Sequence, residues 1–187
     1  MSAITTDVWL DNLCKVPIRK VPSPNCNPRP SHTDISLLVI HNISLPAGTF
    51  GGACVEQLFT NCLDCEAHAD FGDLQGVEVS SHLFIDREGD VTQFVPLNLR
   101  AWHAGVSEFD GCSQCNDFSI GIELEGTDVY PYTEQQYQSL ARISSAIMAV
   151  YPLIDTARIV GHCDIAPGRK TDPGGSFDWA YYHRLLR

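Results

Sequence analysis

Basic side chains are scarce in this chain: 12 Lys and Arg stand against 23 Asp and Glu, a formal net charge of -11. A surface of that sign repels phosphate backbones and anionic headgroups, so neither nucleic acid nor a membrane is an expected partner. The few Lys and Arg are scattered, without a basic cluster. Long apolar runs are missing as well, which argues against a membrane-spanning helix. Residues 1–12 show neither a basic start nor an apolar stretch, so no secretory signal is read there and a cytoplasmic location is expected. Without export, the eight cysteines are expected as thiols or metal ligands rather than disulfides.

What is present suits one domain over residues 1–187, with 44% hydrophobic residues for a core. Pro17, Pro22, Pro24, Pro28 and Pro30 crowd the first 35 residues, which are expected to form a largely irregular arm. Residues 37–40 (LLVI) read as a short buried strand that delivers His41 at its end. A short helix is expected over 55–63, and a hairpin over 81–86 and 91–95 with its turn at Gly89. Residues 119–125 alternate: Ile120, Ile122 and Leu124 share one face, Gly121, Glu123 and Glu125 the other. Thr133 and Gln136 have capping-box spacing ahead of a helix with Tyr137, Leu140, Ile143, Ile147 and Val150 on its apolar face, stopped by Pro152. Another strand over 158–160 and a last helix after Asp178 complete a single mixed α/β domain.

The chemistry concentrates in residues 159–175 (IVGHCDIAPGRKTDPGG), where His162, Lys170 and Asp172 share a turn-rich loop. With His41, this makes two imidazoles and a carboxylate, a three-ligand zinc set that leaves a position open for water. Zinc so held would acidify its water and polarise a carbonyl, so a metal-dependent hydrolase with one catalytic Zn2+ is the leading reading. Glu123 or Glu125, near a strand end, supplies a base for the water proton, and Lys170 a cation for the developing oxyanion. Taken singly, these residues have plainer readings: a hydrogen-bonded strand-end histidine, an Asp-Pro-Gly turn, a solvated lysine, the open face of a sheet. The other histidines (His32, His68, His82, His103, His183) show no such convergence and are read as structural or substrate-contacting. Cys163 beside His162 would point away from it on a strand, which opposes Cys-His catalysis. Cys62 with Cys65 and Cys112 with Cys115 form two CxxC pairs, which would either build a closed four-thiolate zinc site or lie in separate loops.

Four segments carry a resemblance to a known family: 38–46 (LVIHNISLP), 100–107 (RAWHAGVS), 115–128 (CNDFSIGIELEGTD) and 161–174 (GHCDIAPGRKTDPG). They closely resemble the AmpD family of zinc 1,6-anhydro-N-acetylmuramyl-L-alanine amidases, within the type 2 amidases, over residues 21–179. The resemblance implies a central mixed β-sheet flanked by helices, shared with peptidoglycan recognition proteins. It implies zinc on His41, His162 and Asp172, Glu123 rather than Glu125 as the base, and Lys170 at the oxyanion. Asn42, Trp102 and Arg169 match positions expected to contact an anhydro-muropeptide, Trp102 against the sugar and Arg169 towards stem-peptide carboxylates. The implied role is peptidoglycan recycling by a cytoplasmic enzyme, here expected as a monomer, that lowers the muropeptide signal for β-lactamase induction. The chain departs from the family at Glu78 and Gln114, where relatives often carry arginine, and in its paired CxxC motifs.

Overall fold

The computed structural model describes residues 7–12 and 17–187; Cys14 and much of the expected arm's first half lie outside them. In chain order the elements are β1 (Ile18–Lys20), β2 (Cys26–Pro28), β3 (Leu37–Ile43), α1 (Cys54–Phe59), β4 (Leu83–Ile85), β5 (Val91–Gln93), β6 (Leu99–Ala101), β7 (Glu108–Phe109), β8 (Cys112–Ser113), β9 (Ser119–Glu125), α2 (Glu134–Val150), β10 (Ile159–Gly161), α3 (His162–Ile165) and α4 (Trp179–Leu185). Six strands form one sheet in the order β1-β5-β4-β9-β3-β10. Only β4 and β5 run antiparallel, as the hairpin that turns at Gly89; the remaining neighbours are parallel. Gly89 holds φ 83°, and a Cβ there would meet the Gln135 carbonyl at 2.7 Å. The sheet is therefore mixed, as the family resemblance implies.

Two apolar layers sandwich the central strands. Leu38 and Ile40 of β3 with Ile120, Ile122 and Leu124 of β9 face Leu140, Ile143 and Ile147 of α2 and Tyr182 of α4. On the reverse, Leu37 and Val39 pack with Ala104, Cys115 and Ile165. Burial on both faces explains why residues 37–40 are an unbroken apolar run, the usual signature of a parallel strand inside a sheet. The strand continues beyond that run, so His41 lies within β3 rather than just past it. All seven residues of β9 are buried, so the face that carries Glu123 and Glu125 is not a solvent face.

The helix ends follow local chemistry. Thr133 Oγ1 accepts the Gln136 N–H at 3.1 Å and Gln136 Oε1 accepts the Thr133 N–H at 3.1 Å, the reciprocal pair expected from their spacing. Gln136 is fully buried, and its Nε2 donates to the Glu125 carbonyl at 2.9 Å, tying the start of α2 to the end of β9. Asp178 caps α4 by accepting the Tyr181 N–H at 2.8 Å. Helix α1 is shorter than expected, with left-handed Asn61 (φ 59°) just beyond it.

The N-terminal segment is more ordered than its prolines suggest. Strand β1 is an edge of the main sheet, parallel to β5, and β2 pairs antiparallel with β6. Pro17 and Pro22 flank β1 without interrupting it, and Pro28 ends a strand in a two-stranded ribbon; edges tolerate the missing N–H. Arg29 then enters the interior and donates to four carbonyls: Asn116 at 3.0 Å, Asp117 at 2.9 Å, Leu97 at 3.1 Å and Ser119 at 2.8 Å. Burial brings its pKa down to about 10. Among the described residues, no helix is long and apolar enough to cross a membrane.

Removing the α2 cap with Thr133→Ala should cost about 1 kcal/mol. In a chain of this size that is a fall of about 2–4 °C in Tm. Thermal unfolding measures it, and an unchanged Tm would contradict the capping assignment.

Candidate metal centre

The parallel pairing of β3 with β9 sets His41 opposite Glu123, on the face away from α2. His162 arrives from the neighbouring strand: β10 runs parallel to β3 and ends at Gly161, one residue earlier. His162 opens the helical turn α3, so the strand geometry invoked for Cys163 does not hold; burial raises the Cys163 thiol pKa. The loop after α3 folds back so that the Asp172 carbonyl accepts the Cys163 N–H at 3.0 Å. This return carries the Asp172 carboxylate to both imidazoles.

Three donor atoms form a nearly equilateral triangle. His41 Nδ1 lies 3.0 Å from His162 Nδ1, and Asp172 Oδ2 lies 3.1 Å from each of them. His162 Nε2 is 3.1 Å from the Ala104 carbonyl, which can only accept; with the proton on Nε2, Nδ1 turns a lone pair towards the other two donors. Burial lowers the His41 pKa to about 4, outweighing its hydrogen bond with Asp172. Asp172 is pushed upward by burial but more strongly downward by hydrogen bonds and charge from His162 and His41, leaving its pKa well below the carboxylate range. Lone pairs meeting at this spacing, on two nitrogens and one oxygen, suit a divalent cation. Among the described residues this is the one group of three or more His, Cys, Asp or Glu donors close enough to share an ion.

That finding corrects the four-thiolate alternative, because the two CxxC pairs are not gathered. Cys115 is fully buried and packs in the apolar layer with Leu37, Val39, Ala104 and Ile165. Cys62 is exposed after α1, with its thiol towards the Thr60 carbonyl at 3.4 Å. The seven described cysteines are all free, as expected of thiols.

The cleft beside the triangle is lined by Asn42, Trp102, His103, Glu123 and Lys170 together with the three donors. The two glutamates of β9 differ sharply there. Glu125 Oε1 accepts the Gly51 N–H at 2.5 Å and Oε2 the Arg87 N–H at 3.2 Å, so its charge is used in holding loops. Glu123 is 8% exposed, and its Oε2 has no hydrogen-bond partner. Burial, with repulsion from Asp172, raises its pKa well above 4.5, and Lys170 opposes the shift. Glu123 is thus a buried carboxyl with an unused oxygen.

Residues around the cleft are held by specific contacts. Asn42 Nδ2 donates to Asp128 Oδ1 at 2.9 Å. Trp102 Nε1 donates to Asn27 Oδ1 at 2.7 Å. Arg169 Nη2 donates to the Ala104 and Val106 carbonyls at 2.7 and 2.6 Å. Glu78 and Gln114 are exposed and line no part of this cleft. His103, which sequence reasoning set aside, does converge: its Nδ1 is 2.9 Å from His41 Nε2. Crowding by protein, with repulsion from His41 and His82, holds its pKa well below the usual histidine value. The usable signal was Gly121, a residue without a side chain among the glutamates of β9; a Cβ there would lie 2.5 Å from the His103 ring.

Residues 31–175 match the family model described as N-acetylmuramoyl-L-alanine amidase. The chain is 53% identical over 168 residues to the 1,6-anhydro-N-acetylmuramyl-L-alanine amidase AmpD of Citrobacter freundii, covering 90% of this chain and 89% of that protein. A crystal structure of a selenomethionine AmpD derivative superposes with a TM-score of 0.89 at 52% identity, covering 91% of this chain and 94% of the other. The amidase AmiD of E. coli, solved with anhydro-N-acetylmuramic acid-L-Ala-D-gamma-Glu-L-Lys, aligns at a TM-score of 0.61 and 29% identity, over 84% of this chain and 60% of that one. Sequence and architecture agree, and the chain belongs to the N-acetylmuramoyl-L-alanine amidase family.

Proposed function

We propose that this protein hydrolyses the amide between 1,6-anhydro-N-acetylmuramic acid and the L-alanine of the stem peptide in muropeptides, as a zinc-dependent step of peptidoglycan recycling in the cytoplasm. The observation that carries the reading is the juxtaposition of the His41, His162 and Asp172 lone pairs with an unpartnered buried carboxyl, in one cleft of a chain from this family. A binding module has no use for a costly unpaired acid beside a metal triad. The names of the 53% identical AmpD and of the AmiD complex support the choice of substrate. Lower muropeptide levels would in turn weaken a β-lactamase-inducing signal.

His41, His162 and Asp172 would hold the ion. Zinc bound there supplies Lewis-acid chemistry, polarising a carbonyl and acidifying water. Glu123 takes the proton of the attacking water and delivers it to the leaving alanine nitrogen. The raised pKa suits that two-way traffic, since burial makes the acid form easier to reach than in a solvated glutamate. Lys170, whose charge is felt at Glu123, stabilises the oxyanion as the carbonyl turns tetrahedral. Trp102, its ring direction set by Asn27, offers a face to the sugar. Arg169 uses Nη2 to brace the Ala104 and Val106 carbonyls, leaving Nη1 for a stem-peptide carboxylate. Asn42, with its amide nitrogen committed to Asp128, keeps a carbonyl oxygen for a substrate N–H.

Elemental analysis should find one zinc per chain, and chelation should abolish muropeptide hydrolysis until zinc is returned. Full turnover by stripped protein would overturn the reading. Glu123→Gln should lower turnover by about 10²–10⁴-fold while zinc content is unchanged.

The same substitution should stabilise the metal-free protein, with a defined pH dependence. Above about pH 4.5 the unfolded chain has released a proton that folded Glu123 retains, so stability falls as pH rises towards the raised folded value. Glutamine removes that loss. The Tm of the chelated variant should exceed that of the chelated parent at pH 8, and the gap should close towards pH 4.5. A gap that widens on acidification would refute the assigned direction.

A further inference from the structure

The metal triangle does not hold its own orientation, because each imidazole can turn or exchange its proton between two nitrogens. His162 is fixed by the Ala104 carbonyl. His41 has no carbonyl in that place; opposite its Nε2 stands another imidazole, His103 Nδ1, at 2.9 Å. The next contact is compatible with one ordering of the pair. His103 Nε2 lies 3.2 Å from Ser119 Oγ, at the start of β9. The Ser119 hydroxyl can accept from that nitrogen, and a His103 protonated on Nε2 presents a bare Nδ1 to His41. His41 must then carry its own proton on Nε2, which leaves Nδ1 free to face His162 and Asp172.

We propose that His103 is a positioning residue of the metal centre, whose Nδ1 accepts the His41 Nε2–H and so turns the His41 Nδ1 lone pair towards the ion. Gly121 is the enabling partner. The ring of His103 lies flat over β9 where every L side chain would intrude: a Cβ at Gly121 would come within 2.5 Å of Cγ and 2.6 Å of Nδ1. Packing alone does not require this arrangement. A ring that merely filled space would fit as well with its carbon edge towards His41, whereas both of its nitrogens meet polar partners in a chain of consistent direction. The His41 and His103 rings also stand nearly perpendicular, 84° apart, so the contact is made along an edge, as a nitrogen lone pair requires. Outer partners of metal-bound histidines typically change metal affinity by 10–100-fold when removed.

The inference rests on the metal-site reading above, and the experiment separates the two. Zinc affinity is measured by competition with a chromophoric chelator, alongside the visible spectrum of the cobalt-loaded protein. If the parent protein binds neither ion, the metal-site reading itself fails. If it binds, His103→Leu should lower zinc affinity 10–100-fold and alter the cobalt spectrum, and Gly121→Ala should do the same by displacing the ring. His103→Asn, whose Oδ1 falls near the position of Nδ1, should recover affinity to within about threefold. Long-range 1H–15N spectra of the zinc-loaded parent should show His41 protonated on Nε2. That measurement needs no variant to fold. A zinc-loaded His41 with no proton on Nε2, or a folded His103→Leu protein that binds zinc as tightly as the parent, overturns the proposal.

Discussion

The pairing of β3 with β9 is the constraint on which the centre depends. Seven consecutive residue pairs fix one parallel register, and within it His41 faces Glu123 across a strand spacing of about 4.8 Å. A slip of β9 by one residue would turn Glu123 into the layer under α2, where Leu38, Ile40, Ile122 and Leu124 now sit, and leave His41 without it. The apolar residues of these two strands therefore do more than fill a core. By refusing any other register they aim the polar ones.

The same face of β9 shows how one sequence pattern serves two ends. Glu125 and Glu123 are two positions apart and equally enclosed, yet one is saturated with backbone donors and the other has an oxygen to spare. An unsatisfied acid in a folded interior is destabilising, and it is retained where the chemistry needs an unengaged base. The difference comes from the loops each glutamate meets. Gly51 and Arg87 reach Glu125, whereas Glu123 opens on the cleft.

Much of this was legible in the sequence. Alternation along residues 119–125, the Thr133 and Gln136 pair and the glycine of the hairpin each report a local rule that tertiary packing did not override. The association of His41, His162 and Asp172 was also within reach, because turn residues around the last two announce a loop that doubles back. Other features depend on contacts between distant segments. Nothing local to His103 tells that its ring lies over Gly121. The CxxC spacing suggested shared metal, but Cys115 is claimed by an apolar layer that cannot be seen from its neighbours in the chain. Proline content likewise misjudged the N-terminal segment, since prolines beside an edge strand leave its ladder intact.

Arg29 shows what that segment contributes. Its guanidinium ties together the carbonyls of four residues drawn from the stretches around Leu97 and from Asn116 to Ser119, and Ser119 is where the His103 ring finds its second anchor. A planar fork with several donors can satisfy such a set, and an ammonium with three cannot. The segment ahead of β3 thus acts as a keystone for the floor of the cleft. Trimming or regrafting it for expression would loosen the cleft from beneath, although none of its described residues hydrogen-bonds to His41, His162 or Asp172.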